Sequence, residues 1–358
     1  MRYCRGCGFP VPYGRFLQWT SDGTILGKDK GRTRLVYLEV DDMRHLYAGV
    51  SSWIGVPIDR IIYRAEKEVG RRFIETLLPA IISRMPRGHF RPEWGVKATA
   101  GYVLNYMSGL GMGHAEVFDY QSGRSSRVRI VNPHVMALIA GDAAGVFGQL
   151  ERVPVEARWE RIKTEEYYLY IETEEGAQAT PAIERLGLEE KGYLPGKVEF
   201  DACKCGVPLD VTRNIYLDLE KGILVNRVTG LREVALPVPS FDAVFREFTR
   251  EFGADLPATM EDLEQEYARE NSAVRYLAGT RGPESMMTIL SDFPWRGIGN
   301  PVAAGPVQGG MQVVIENPFH AGVVAGRVAG LYEAWTGTQV GVSWQEDAPG
   351  RLRVTLMQ

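Results

Sequence analysis

Short runs of alternating or continuous apolar residues open the chain, and longer stretches of helical periodicity follow them. FLQWTSDGTIL (16–26) and TRLVYLEV (33–40) alternate or run apolar around Asp-Gly and Lys-Gly turns, which predicts a hairpin. Asp41 and Asp42 are placed to cap a helix over MRHLYAGVSSWIG. PIDRIIYRAEKEVGRRFIETLLPAIISRM carries Ile61, Ile62, Ala65, Val69, Phe73 and Leu77 at helical spacing. A further helix fits GVKATAGYVLNYMSGLG. A hairpin follows (AEVFDY, a QSGRSS turn, RVRIV), then a helix opening at Asn132-Pro133 with Pro in its first turn. Its small residues Ala140, Gly141, Ala144 and Gly145 allow another element to approach closely. VEARWERI and EYYLYIE end the series as strands.

The whole pattern then recurs. Cys4-Arg-Gly-Cys7-Gly8 returns as Cys203-Lys-Cys205-Gly206, with 198 positions between the glycines. VRIVNPHVMALIAGDAAGVFG returns as VVIENPFHAGVVAGRVAGLYE, with Asn132, Pro133, Gly141 and Gly145 each 185 positions before Asn317, Pro318, Gly326 and Gly330. Gly111 and Trp159 match Gly297 and Trp344. A register held this long indicates duplication, and the falling offset means that the second copy is shorter in its middle. The expected organisation is a first lobe over 1–173, a Glu/Gly/Pro-rich linker over 174–198 and a second lobe over 199–358. The fold class expected is α+β: two homologous lobes, each an antiparallel sheet with helices packed on one face, plus small N-terminal Cys-knuckle hairpins.

Composition narrows the function. The 358 residues are 45% hydrophobic and 24% charged, enough to build a sizeable core. No apolar run has the length of a membrane span, and MRYCRGCGFP lacks a signal peptide's apolar centre, so a cytoplasmic location is expected. A net charge of −4 gives no basic footprint for nucleic acid. The local cluster Arg124, Arg127 and Arg129 suits a solvated strand face.

Four cysteines are too few for a disulfide scaffold of this size. Cys-x-x-Cys-Gly is a metal knuckle, in which a tight turn aims two thiolates at one ion. Each lobe supplies two of the four ligands that structural zinc takes. One site shared by Cys4, Cys7, Cys203 and Cys205 is therefore expected, within one chain or across a dimer, with zinc in a structural role because four protein ligands leave no position for water. The same thiols would also serve rubredoxin-like iron, an iron–sulfur cluster or a redox pair.

Other candidates weigh less. Tyr120-x-Ser122-x-Arg124, with His89 upstream, has the form of a haem propionate motif but lies on a hairpin tip, and a polar turn explains it. His134 and His320 open the repeated helix and read as surface or partly packed residues. There is no Ser/His/Asp set, phosphate loop or HExxH, which disfavours an enzyme. Tyr102, Tyr106, Met136, Phe147 and Trp159 are the candidate lining of a pocket between helices and sheet in the first lobe, for a small hydrophobic or aromatic molecule. The bulkier first lobe is the expected receptor.

The run NPFHAGVVAGRVAGLYEAWTGTQVGVSWQEDAPGRLRVTL resembles the core of 4-vinyl reductase domains. Gly326, Gly330, the Thr336-Gly337 turn, Val340 and Gly350 carry the resemblance, and IIYRAEKEVGRRF and NPHVMALIAGDAAGVF carry it in the first lobe. Such domains are similar in fold to TRAPP vesicle-tethering subunits and occur as hydrocarbon-sensing regions of regulators. The resemblance implies a ligand-binding or sensory protein acting through a homodimer or a regulatory protein partner. The alternatives it leaves are a ligand-free TRAPP-like assembly module, and a reductase or reductase accessory. Many such domains bind zinc through cysteines in the final hairpin. Glu346 and Val354 stand there instead, so that site is absent from this chain.

Overall fold

The computed structural model describes residues 3–28, 33–77, 93–174, 192–253, 255–271 and 283–358. The chain is α+β and its sheets are antiparallel. In the first half the elements are α1 (Val11–Phe16), β1 (Leu17–Trp19), β2 (Ile25–Gly27), β3 (Arg34–Glu39), α2 (Val40–Ile54), α3 (Asp59–Leu77), α4 (Glu93–Gly109), β4 (His114–Gln121), β5 (Ser125–Val131), α5 (Met136–Glu151), β6 (Val155–Lys163) and β7 (Glu166–Thr173). The second half repeats this order as α6 (Leu209–Asn214), β8 (Ile215–Asp218), β9 (Ile223–Asn226), β10 (Arg232–Pro237), α7 (Val238–Phe252), α8 (Leu256–Asn271), α9 (Pro283–Ile289), α10 (Phe293–Arg296), β11 (Asn300–Val307), β12 (Gly310–Glu316), α11 (Ala321–Thr336), β13 (Gly341–Ala348) and β14 (Arg351–Met357). The second copy is shorter where α9, of seven residues, and α10, of four, follow the places that α4 fills with seventeen.

The β4–β5–β7–β6 and β11–β12–β14–β13 sheets each carry one apolar face. On β5, Val128 and Ile130 are buried while Arg127 and Arg129 alternate outward, paired with Asp119 at 3.7 Å and Glu166 at 2.7 Å. This is the solvated face expected of those arginines; Arg124 belongs to the turn before the strand.

Glycines set how the repeated helix packs. A Cβ on Gly141 would stand 2.5 Å from the Tyr63 carbonyl oxygen, and one on Gly145 2.1 Å from that of Lys67. Gly326 and Gly330 meet Glu261 and Gln265, the matching residues of α8, at 2.3 Å each. Only glycine permits this crossing of α3 by α5 and of α8 by α11. The helix starts later than its proline suggests: Met136 is its first residue, and Asn132 takes φ 54° in the preceding turn. Asn317 repeats that conformation at φ 53°. The turn carries the chain so that the His134 N–H donates to the Met112 carbonyl.

The two hairpins join in a central six-stranded sheet, β1–β2–β3–β10–β9–β8, through β3 against β10. Tyr37 opposes Ala235 midway along this pairing. Each hairpin leans on the other half of the chain. Trp19 Nε1 donates to the Trp295 carbonyl, and Arg34 donates to the carbonyls of Asn317, Gly297 and Pro318. In return Ala235 N–H donates to Leu110, and Arg232 donates to the Asn132 carbonyl. The halves thus exchange hairpins about a pseudo-twofold relation. Within the 174–198 stretch, residues 175–191 lie outside the described residues. Beyond them, Leu194 N–H donates to Asn317 Oδ1 and Val198 N–H to the Ser21 carbonyl, so the chain is anchored where it enters the second half.

Candidate metal centre and ligand cavity

Each cysteine knuckle is a small hairpin. Cys4 N–H donates to the Phe9 carbonyl and Cys203 N–H to the Val207 carbonyl, at 2.8 and 2.9 Å. Gly8 and Gly206 close the turns at φ 73° and 89°, a region that glycine enters without a Cβ penalty. The exchange of hairpins carries both knuckles to the same place. Cys4 and Cys203 Sγ are 3.7 Å apart, Cys7 and Cys205 Sγ are 3.6 Å apart, and all four sulfurs lie within 4.8 Å of one another. Four thiolates about 2.3 Å from a tetrahedral ion stand about 3.8 Å apart. The separations far exceed a disulfide bond. The group can hold a metal ion, and it forms within one chain.

The sulfurs differ in how readily they ionise. The backbone N–H groups of Gly6 and Cys7 pull the Cys4 thiol down to about 6. Burial pushes Cys7 up to about 12 and Cys205 upward as well. Four adjacent thiols cannot all ionise unless a positive ion compensates them. Gly6 is the tight point of the loop, because a Cβ there would approach Cys203 Sγ to 3.2 Å.

A cavity of about 550 Å³ lies between α4, α5 and the inner face of β4–β5. Val103, Leu104, Met107, Val128, Val146 and Phe147 are among its apolar walls, and Asn105, Ser108, His114 and Asp142 among its polar ones. Of the five aromatic and Met positions singled out from the sequence, Phe147 lines this space. Tyr106 lines a second cavity of about 220 Å³ between α3, α5 and the α7 entry, and stacks on Phe73 at 5.7 Å. Tyr102 packs edge-on against Phe16 at 5.9 Å and is 38% exposed. Met136 is partly buried against the core, and Trp159 packs against Tyr63 at 6.1 Å.

The hairpin tip with the Tyr-x-Ser-x-Arg pattern is held by Glu151 at the end of α5. Tyr120 Oη, Ser122 Oγ and Gly123 N–H all donate to that carboxylate. His89 lies outside the described residues. His320 caps α11 by accepting from Val323 N–H at 3.4 Å. His134 is buried, not a surface residue. Its Nδ1 lies 3.1 Å from the Met112 carbonyl, which can only accept, so Nδ1 carries the proton. Burial holds this imidazole neutral, down to about 4.

Two charge clusters at the helix and sheet contacts escaped sequence reading. Asp42 does not cap α2, whose N-cap is Glu39; it is buried and accepts from Arg327. Arg327 also donates to Glu264 at 2.5 Å and Glu39 at 3.2 Å, and Arg296 donates to Glu39 at 2.7 Å and pairs with Glu233 at 3.4 Å. Glu39 and Glu233 oppose each other across β3 and β10, and Arg296 offsets their repulsion. The second cluster is Glu66 on α3 and Asp142 on α5. Their helices cross so closely that a Cβ on Gly70 would reach Asp142 Oδ1 at 2.6 Å, and one on Gly141 would reach Glu66 Cβ at 2.8 Å. Burial and the Asp142 charge push Glu66 well above the carboxylate range, and burial pushes Asp142 up to about 7. The available signal was Asp142 inside the otherwise apolar run MALIAGDAAGVFG, with arginine at the matching position of the second copy.

Among the described residues, no helix is long and apolar enough to cross a membrane. Compared with models of known families, with curated proteins and with solved structures, the chain matches none.

Proposed function

We propose that this chain binds a small, largely apolar or aromatic molecule in the cavity of its first half, and that zinc held by the four cysteines staples its two halves together. The cavity carries the reading. At about 550 Å³ it lies in the size range of small-molecule sites, with apolar walls and a few convergent polar groups. The longer α4 roofs this space in the first half. The zinc assignment follows from donor chemistry: four thiolates gathered within 4.8 Å of one another suit Zn(II) and leave it no open coordination position.

Native mass spectrometry of the protein purified without chelator tests both parts. One zinc per chain supports the staple, and an organic mass beyond it supports the cavity. Filling the space by Ala143→Phe, on the α5 wall, is expected to remove the organic mass and any thermal shift by apolar ligands while zinc stoichiometry stays at one. A cavity-filled variant that still responds like the parent would overturn the binding reading.

A further inference from the structure

The ligand reading can be taken one step further, on which the following rests. We infer that the molecule carries a protonated nitrogen (an amine or amidine) that seats between Glu66 and Asp142, its apolar part lying along the larger cavity.

Asp142 lines both cavities, so a single molecule can touch it while occupying either. The smaller cavity gathers the Glu66 and Asp142 carboxyls and the His134 imidazole on one wall, with Arg72 and the hydroxyls of Thr33, Tyr106 and Ser240 also lining it. Glu66 is 6% exposed; Ser240 Oγ donates to its Oε1 at 2.8 Å, and its Oε2 has no partner. His134 lines the same cavity, and with Nδ1 protonated its partnerless Nε2 is also an acceptor. Two carboxylates and an imidazole lone pair call for a donor-rich, positively charged guest. No salt bridge reaches Glu66 or Asp142 from a basic side chain among the described residues. Lys67 is engaged by Glu156 at 3.1 Å, and Arg72, at the cavity wall, pairs with Glu68 at 3.7 Å.

The second half shows how this fold answers the same problem. Glu264 matches Glu66 at an offset of 198, and Arg327 matches Asp142 at an offset of 185. There the Arg327 guanidinium fills the place between the helices and donates to Glu264. The first copy keeps the glutamate but puts aspartate where the cation stands. The guanidinium of the second copy is thus an internal likeness of the missing guest. A metal ion is a poorer fit, because among the described residues only the cysteines gather three or more ligating groups.

The test is a binding panel on the full chain at pH 8: n-octylamine and benzamidine as cations, 1-octanol and benzamide as neutral counterparts, octanoate and benzoate as anions. The cations are expected to bind at least about tenfold more tightly than their neutral counterparts, a difference of about 1.4 kcal/mol. Glu66→Gln should erase that preference. Asp142→Arg, which rebuilds the second copy's arrangement, should abolish cation binding with cooperative unfolding retained. Neutral probes binding as tightly as cations to the unaltered protein would overturn the inference and leave the apolar cavity reading standing. Failure of every probe to bind would overturn both. The panel on the unaltered chain decides the matter even if a variant does not fold.

Discussion

Asp142 and Arg327 occupy the same place on the repeated helix and carry opposite charge. Arg327 is held by Glu39, Asp42 and Glu264, all buried. Asp142 faces Glu66 with no such counter-ion. The two repeats thus differ, one charge-compensated and the other uncompensated, and the two positions should respond to mutation in opposite directions.

Replacing Arg327 by Met leaves three buried carboxylates around an apolar side chain. Breaking a buried pair by removing one partner costs about 3–5 kcal/mol, and Arg327 anchors several. The expected result in urea unfolding is a loss of at least that size with an unchanged slope. A loss below about 1 kcal/mol would show that the cluster does not hold the halves.

Asp142→Asn should stabilise the protein, with a defined pH profile. In the fold Asp142 titrates near 7, above the ordinary aspartate value of 3.8. Between about pH 4 and pH 7 the unfolded chain has lost this proton while the folded chain retains it, so stability drains away as pH rises. The gain from Asn should be small at pH 4, grow toward pH 7 and level off above it, reaching up to about 4 kcal/mol for some three pK units. His134 acts in the opposite sense: its neutral form stabilises above about 6.5, and that contribution is lost as pH falls toward 4. Subtracting the parent curve from the variant curve removes the His134 contribution and leaves that of the Glu66–Asp142 pair, whose two carboxyls titrate together. A difference independent of pH would contradict the assigned titration.

The sequence disclosed the repeat, the hairpins and the four-cysteine centre because each rests on local signals. A turn needs its glycine, a knuckle its spacing, and a helix crossing its pair of small residues. The exchanged hairpins were not legible, since no local rule says that Arg34 reaches Asn317 and not Asn132. The buried charges were hidden for the same reason. Asp42 has the type and place of a helix-start residue, and only the packing of both α2 and α11 on α8 turns it into a partner of Arg327. Tyr102 and Trp159 have the chemistry of pocket walls, but helix rotation and strand position direct them to Phe16 and Tyr63.

Removing zinc should weaken the union of the knuckles from either side equally. Cys4→Ser and Cys203→Ser each leave three thiols, and each should lose the metal. With free zinc at a thousandfold its dissociation constant, binding contributes about 4 kcal/mol to the folded state. Because the ligands bind zinc as thiolates, binding releases protons and its contribution falls as pH is lowered. Zinc titrations at pH 8 and pH 6 check this. Stability unaffected by chelator at pH 8 would remove the staple.

The matched arginines Arg34 and Arg232 make a last comparison, because they do the same task under different exposure. Each reaches across from its hairpin to the carbonyl of the turn asparagine in the other half, Arg34 to Asn317 and Arg232 to Asn132. Arg34 is buried and feeds three carbonyls, and burial lowers its pKa with no salt bridge among the described residues to restore it. Arg232 keeps partial solvent contact and shares Glu165 with Arg44. Truncating Arg34 strands three carbonyls away from water, at about 1–3 kcal/mol each before relaxation, whereas water can replace much of what Arg232 supplies. Arg34→Ala is therefore expected to cost about 3 kcal/mol or more, and Arg232→Ala about 1–2 kcal/mol. Equal losses in chemical denaturation would mean that the exchanged hairpins are held by apolar packing and not by these bonds.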